Sequence, residues 1–311
     1  MLTVFTIPKP FVGHFGVIQR NAIGALTRLQ PRPQILVFGD EPGAAETSRE
    51  LGVEHVPQVA RNEFGTPLID DVFGRARQRA GDGLLCYLNA DIIVMNDFIA
   101  AVQRLAAKKR WFLMVGQRWD LDVTDPLAFD DGWDSQLRER VRRDGQLHNI
   151  TGMDYFVFPP GLVDGIPPMA IGRAMWDNWF LYHARARRAA LVDATQSVMA
   201  VHQNHDYSHY PTGKPGIHKG PEAQRNKELA GGLDRYFSLR DATHQLTPDG
   251  LKRFTDSWHV RRWFLTLPNL HPCWGLPVRV LLKTIALTHP LRAKLGMKLP
   301  DPESQGAPTA K

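Results

Sequence analysis

A chain of 311 residues with 43% apolar and 23% charged residues can bury one large core, or a main domain with an appendage, and its balance excludes a disordered chain. The net charge of +6 favours anionic partners such as nucleotides, phosphorylated lipids or acidic membrane surfaces. No run of about 18 apolar residues marks a membrane span, and Cys86 and Cys273 form no pair motif, which fits a reducing, cytoplasmic compartment.

The opening MLTVFTIPKPF lacks the features of a signal peptide and predicts a first strand over LTVFTI. FGVIQRNAIGALTRL then has helical periodicity, QILVFGD reads as a strand, GAAETSRELG as a helix and EHVPQV as a short strand. A helix is expected over PLIDDVFGRARQRAG, a central strand over LLCYLNADIIV, a helix over DFIAAVQRLAAKK and a strand over WFLMVGQRW. Residues 124–149 read as an inserted loop and helix, and MDYFVFP as a return to β structure. This alternation predicts an α/β fold with a mostly parallel sheet flanked by helices, binding ligands at the carboxyl ends of its strands. From about Leu229 the chain turns basic, aromatic and proline-punctuated, with no strong strand. The expected division is a catalytic domain over 1–228, a helical region over 229–299 and a disordered tail over 300–311.

Several strands end on polar residues, which is how such sheets build sites. Asp91, in LLCYLNADIIV, needs a partner because an isolated charge among apolar residues is costly. That partner could be a divalent metal shared with a diphosphate, an Arg or Lys, or the N-terminus of the following helix, which Asp91 would cap. QSVMAVHQNHDYSHY sets His202, His205 and His209 with Asp206 just past an apolar strand, a pattern suited to metal or phosphate. Asp177 in GRAMWDNWFLYHA lies among tryptophans: it is either a helix cap or a general base whose proton affinity is raised. Asp154 precedes the MDYFVFP strand and is a candidate for binding hydroxyl groups. Asp120 and Asp122 form a literal Asp-x-Asp, ranked below Asn89-Ala90-Asp91 because it falls after its strand has run out. The turn Pro8-Lys9-Pro10 could set backbone amides against a ligand. No Walker loop and no G-x-G-x-x-G follows a strand, which argues against ATPases and dinucleotide enzymes.

In their order along residues 1 to 210, these pieces resemble a GT-A glycosyltransferase, the nucleotide-sugar-dependent fold with a metal-binding Asp-x-Asp. The resemblance implies a Rossmann-like sheet, a nucleotide-sugar donor (a UDP-sugar by default) and a divalent cation, Mn²⁺ or Mg²⁺. It puts Asp40 at the base of the nucleotide with Pro8, Gly65 and Thr66 nearby, and Asn89 and Asp154 in the donor site. Asp91 would hold the metal, with His202 or His205 completing its shell, and Asp177 would be the base of an inverting enzyme. The chain departs at Asn89, which stands where the family has the first aspartate. The alternatives are a sugar nucleotidyltransferase and a non-catalytic nucleotide- or carbohydrate-binding protein.

The segment SWHVRRWFLTLPNLHPCWGLPVRVLLKTIALTHPLRAKLGMKL mixes tryptophans, arginines and apolar residues. It reads either as a helical layer or as an interfacial region that brings the protein to anionic lipids or a lipid-linked acceptor. Nucleic acid is not an expected partner, since the basic residues are dispersed and no binding motif is present.

Overall fold

The structure, a computed structural model, describes residues 1–205, 216, 218–278, 280 and 281. The chain divides into two units, one spanning Met1–Arg253 and one running from Phe254 on.

The first unit opens with β1 (Leu2–Thr6), α1 (Gly13–Thr27), β2 (Gln34–Phe38), α2 (Ala44–Leu51), β3 (Glu54–Val56) and α3 (Ile69–Ala80). In β1 and β2 every residue after the first is buried, so both faces of these strands are covered, as parallel sheets require. The expected central strand divides at its polar tripeptide. β4 (Leu84–Leu88) stays in the large sheet, and β5 (Ile92–Ile93) pairs elsewhere. After α4 (Asn96–Ala106) the next expected strand divides too, into β6 (Phe112–Val115) and β7 (Arg118–Leu121). Gly116 sits at that break because a Cβ there would lie 2.2 Å from Tyr155 Oη. Then come α5 (Trp133–Asp144), β8 (Gln146–Leu147), β9 (Tyr155–Phe158), α6 (Trp176–Ala186), β10 (Ala190–Asp193), β11 (Ala200–Gln203) and α7 (Pro221–Ala230). The unit closes with β12 (His244–Thr247) and β13 (Gly250–Arg253).

The large sheet has the order β13-β12-β10-β6-β9-β4-β1-β2-β3. All of its strands run the same way except β9 and β13. Residues that precede β9 therefore meet residues that follow β1, β2, β4 and β6, all at one edge. A smaller sheet, β5-β11-β7-β8, lies in register so that His202 of β11 pairs with Asp120 of β7.

Strand alternation sorts the core into two faces. On one, Val4, Cys86, Leu88 and Val157 pack with Leu26, Phe98, Val102 and Leu105. On the other, Phe5, Tyr87 and Phe158 meet α3 and α6 in an aromatic cluster: Phe73 lies 5.0 Å from Phe5, Phe158 5.0 Å from Phe180, and Tyr87 5.2 Å from Trp176, centroid to centroid. Edge-to-face rings at such distances add to what burial contributes.

Two expectations need correction. β12 and β13 belong to the large sheet, so the chain after Leu229 is not free of strands. Asp120 lies within β7 rather than beyond a finished strand. In the second unit, α8 (Ser257–Leu270) begins at Asp256, whose side chain accepts the His259 backbone N–H at 3.1 Å, while the His259 ring stacks on Phe254. Among the described residues no helix is long and apolar enough to cross a membrane. The expected tail, 300–311, lies outside the described residues, as do Asp206 and His209.

Candidate active site

Asp91 sits in the turn between the two sheets, where Gln203, itself fully buried, fixes its backbone: the Gln203 N–H and Nε2 both donate to the Asp91 carbonyl, at 3.2 and 3.1 Å. The Asp91 carboxylate meets two imidazoles. Its Oδ2 accepts from His205 Nε2 at 3.0 Å and lies 3.9 Å from His202 Nε2. Its Oδ1 is buried and has no hydrogen-bond partner among the described residues. Burial alone would raise the proton affinity of Asp91. The hydrogen bond from His205 and the positive charges of His202, His205 and Lys9 outweigh it and hold the carboxyl well below the usual range. One ligand atom from each of Asp91, His202 and His205 falls within 4.8 Å of the others, so the three could hold a cation.

A second set of charges backs the first. His202 Nδ1 lies 3.1 Å from Asp120 Oδ1, an ion-pair contact without hydrogen-bond alignment, and His148 Nδ1 lies 2.6 Å from Asp120 Oδ2. Asp120 therefore stands against the ring nitrogen of His202 that is turned away from Asp91. Arg118 joins this set to the next, donating from Nε to Asp120 at 3.0 Å and from Nη1 to Asp154 Oδ2 at 2.9 Å. Asp154 is buried at the start of β9, and its Oδ1 accepts from Asn89 Nδ2 at 2.6 Å. Both Asp154 oxygens are therefore engaged inside the protein, and Asn89 is the donor that one of them uses.

Asp177 stands in the first turn of α6, and its Oδ1 accepts the Asn178 backbone N–H at 2.9 Å. Burial, with a smaller contribution from the charge of Asp154, pushes its carboxyl up to about 6. Apart from burial, the charges of Asp91, Asp154 and Asp177 all push the Tyr87 phenol up, so the three acids lie within electrostatic reach of one buried ring. The residue before the helix, Met175, has φ 97°, a left-handed conformation that disfavours any residue with a Cβ. The preceding loop is anchored from α7: Asn226 bonds both backbone groups of Ala170, and Glu222 accepts from Arg173 at 2.7 Å and from Asn62 at 2.8 Å.

The residues expected around the nucleotide divide. Asp40 is an exposed carboxylate gripped by Arg61 at 2.6 Å, which lowers its proton affinity, and Arg61 also donates to the Gly65 carbonyl at 2.8 Å. Thr66 turns inward instead: it is buried, and its Oγ1 accepts from Arg173 at 3.2 Å. The turn at Pro8 offers no open row of amides. The Lys9 N–H donates to Gln19 Oε1, Phe11 N–H to the Pro42 carbonyl and Val12 N–H to the Pro10 carbonyl. What the turn contributes is the Lys9 side chain, which sits 4.6 Å over the Phe15 ring and acts on Asp91 by its charge. Arg61 and Gln203 were not singled out from the sequence, while Lys9 figured there only within the turn Pro8-Lys9-Pro10, read for its backbone amides, and Arg118 only as part of a polar strand end.

No protein-family model matches the chain, and neither does any curated protein. Solved structures of similar fold include glucosyl-3-phosphoglycerate synthase from Mycobacterium tuberculosis with Mn²⁺, UDP and glucosyl-3-phosphoglycerate (12% identity, 75% of this chain and 80% of that one, TM-score 0.45). They also include GalNAc-T7 with UDP, GalNAc and Mn²⁺ (14%, 74% and 48%, TM-score 0.46). A third is a cytidylyltransferase from Leptospira borgpetersenii (12%, 62% and 75%, TM-score 0.40).

Proposed function

We propose that this chain is a glycosyltransferase that moves a sugar from a nucleotide-diphosphate donor, a UDP-sugar by default, to the hydroxyl of a carbohydrate or lipid-linked acceptor. The observation that carries this reading is the Asp91 carboxylate, with one buried oxygen lacking a partner among the described residues and two imidazoles on the other. That donor set, one carboxylate oxygen and two imidazole nitrogens, suits Mn²⁺ better than the oxygen-seeking Mg²⁺, with the remaining positions left for phosphate oxygens. A divalent cation held by Asp91, His202 and His205 would supply positive charge against the diphosphate leaving group. Lys9 adds a second positive charge on the same side. Arg118 keeps Asp154 and Asp120 paired, so neither carboxylate faces the diphosphate uncompensated. Asp177, whose proton affinity burial raises, would take the acceptor hydroxyl's proton as that oxygen attacks. A single base of this kind suits an inverting displacement. The setting we infer is cytoplasmic, with peripheral membrane contact through the second unit.

The first test is a thermal-shift screen of UDP, GDP, CMP and their sugar conjugates, with and without Mn²⁺. A metal-dependent rise in Tm with one nucleotide, lost in Asp91→Ala, is the expected result. No shift with any nucleotide would point to a structural or unrelated binding role. The nucleotidyltransferase alternative fits less well, because it calls for a Gly-rich basic loop after β1, and here that loop holds a single lysine, Lys9. A non-catalytic binding protein would shift in Tm yet fail to hydrolyse the donor with Mn²⁺ present.

A further inference from the structure

The net charge of the chain is very unevenly placed. Of its 38 Lys and Arg residues eight lie from Phe254 on, and of its 32 Asp and Glu residues only three do, so the second unit carries +5 of the net +6. Between Ser257 and Pro300 there is no acidic residue at all. The same unit exposes large apolar side chains. Val260 and Trp263, one turn apart on α8, are exposed, as are Leu265 and, beyond the helix, Trp274, Leu276 and Leu281; Leu276 is 74% accessible. Arg261, also exposed, stands between the first two. In the first unit the exposed large apolar residues are few and scattered.

Exposed tryptophan and leucine set among cations without anions is the chemistry of a surface that lies in a lipid headgroup layer. Indole rings settle at the level of the headgroups, aliphatic side chains enter the acyl boundary, and Lys and Arg meet anionic lipid. A protein partner with an acidic, apolar face could match the apolar residues, but the excess of cations extends through the whole acid-free stretch, which suits a planar field of negative charge better than one cleft. From this we propose that the second unit is a docking surface for an anionic membrane leaflet, with Val260, Trp263, Trp274 and Leu276 as its apolar anchors. The proposal adds to the glycosyltransferase reading the surface at which its acceptor is met, and its physical basis is independent of that reading.

Cys273 makes the test direct. It is exposed and adjacent to Trp274, whereas Cys86 is fully buried, so an environment-sensitive thiol fluorophore labels the folded full-length protein at one place. With vesicles of phosphatidylcholine containing 30% phosphatidylglycerol, the label's emission is expected to shift to the blue and the protein to float with the lipid. With phosphatidylcholine alone, binding is expected to be at least tenfold weaker, and 0.5 M NaCl should release most of the bound protein. The double variant Trp263→Ser/Leu276→Ser should lose flotation while keeping the parent Tm and any nucleotide-dependent Tm shift. Absence of flotation on both vesicle types would overturn the proposal, and so would equal binding to both. A blue-shifted label without lipid, together with a dimeric sedimentation coefficient, would overturn it in favour of self-association. None of these readouts involves a nucleotide, so a failed glycosyltransferase assignment would show separately in the thermal-shift screen.

Discussion

Asn89 occupies the place of an aspartate in the resemblance, and the reason lies 65 residues away. Its amide donates to Asp154 at 2.6 Å, so a carboxylate at 89 would face another carboxylate at hydrogen-bond distance. Asn89→Asp, although it completes the familiar signature, should therefore lower Tm by several degrees and weaken Mn²⁺ binding measured by titration calorimetry. Adding Asp154→Asn should recover most of both losses; a double variant no better than the single one would rule this account out. Asp177→Asn should keep nucleotide binding and lose at least about a hundredfold in transfer rate, the usual contribution of a positioned base. In the parent protein the transfer rate should rise with pH through about 6 and then level off, as Asp177 ionises. Its effect on stability runs the other way. The folded protein holds this proton more tightly than the unfolded chain, so the contribution of Asp177 to stability falls between about pH 4 and pH 6 and stays low above. Asp177→Asn should accordingly melt higher than the parent at pH 7. Asp91, Asp177 and the histidines were legible in the sequence because each puts an ionisable group into an apolar or aromatic run. The side-chain roles of Lys9 and Arg118 were not, because they arise where strands far apart in the chain bring their ends together.

At the level of elements, α7 acts on the site through the loop it holds. Glu222 is almost fully buried, and its partners Asn62 and Arg173 come from two different loops. Removing one side of such a buried pair typically costs about 3–5 kcal/mol. Glu222→Ala should therefore lower stability by roughly that amount, and it should impair turnover beyond what the lost stability explains, because the loop anchored there leads to Met175 and Asp177. The partners of Glu222 outweigh the effect of burial and lower its pKa, so its stabilising contribution is present at neutral pH and is lost as acid protonates it below the ordinary glutamate range. The hairpin β12–β13 shows why one element escaped the sequence reading. Its strands, HQLT and GLKR, are short and mostly polar, with Leu246 buried, so no apolar run announces them. The Pro248-Asp249-Gly250 turn was the signal available, a turn chemistry that joins adjacent strands. In WFLMVGQRWD the reverse happened. One apolar run suggested one strand, and the close approach of Tyr155 to Gly116 divides it between two sheets.

For the molecule as a whole, the sheet sets where the chain can be cut. A fragment ending at Arg253 keeps β12 and β13 on β10, and it should unfold cooperatively in urea. A fragment ending at 228 uncovers the β10 edge and removes Leu246 from the core, so it should be less stable and prone to aggregate. Light scattering and urea denaturation of the two fragments would decide between these boundaries. The layered α/β class was plain from the alternation of strands and helices, whereas the smaller sheet was not, since its strands are only two to four residues long. That smaller sheet has a bearing on how the molecule could diversify. The residues between β7 and β8 leave and return at paired positions, Trp119 opposite Leu147 and Asp120 opposite Gln146. The two ends of this arch are a single ladder rung apart, and the arch itself holds α5. Variation there is confined to its exposed residues, because Leu137 and Val141 of α5 are buried in a core cluster with Ile93 and Val201, and Asp125 and Leu127 bond Asn21, which donates to the Gln203 that fixes Asp91.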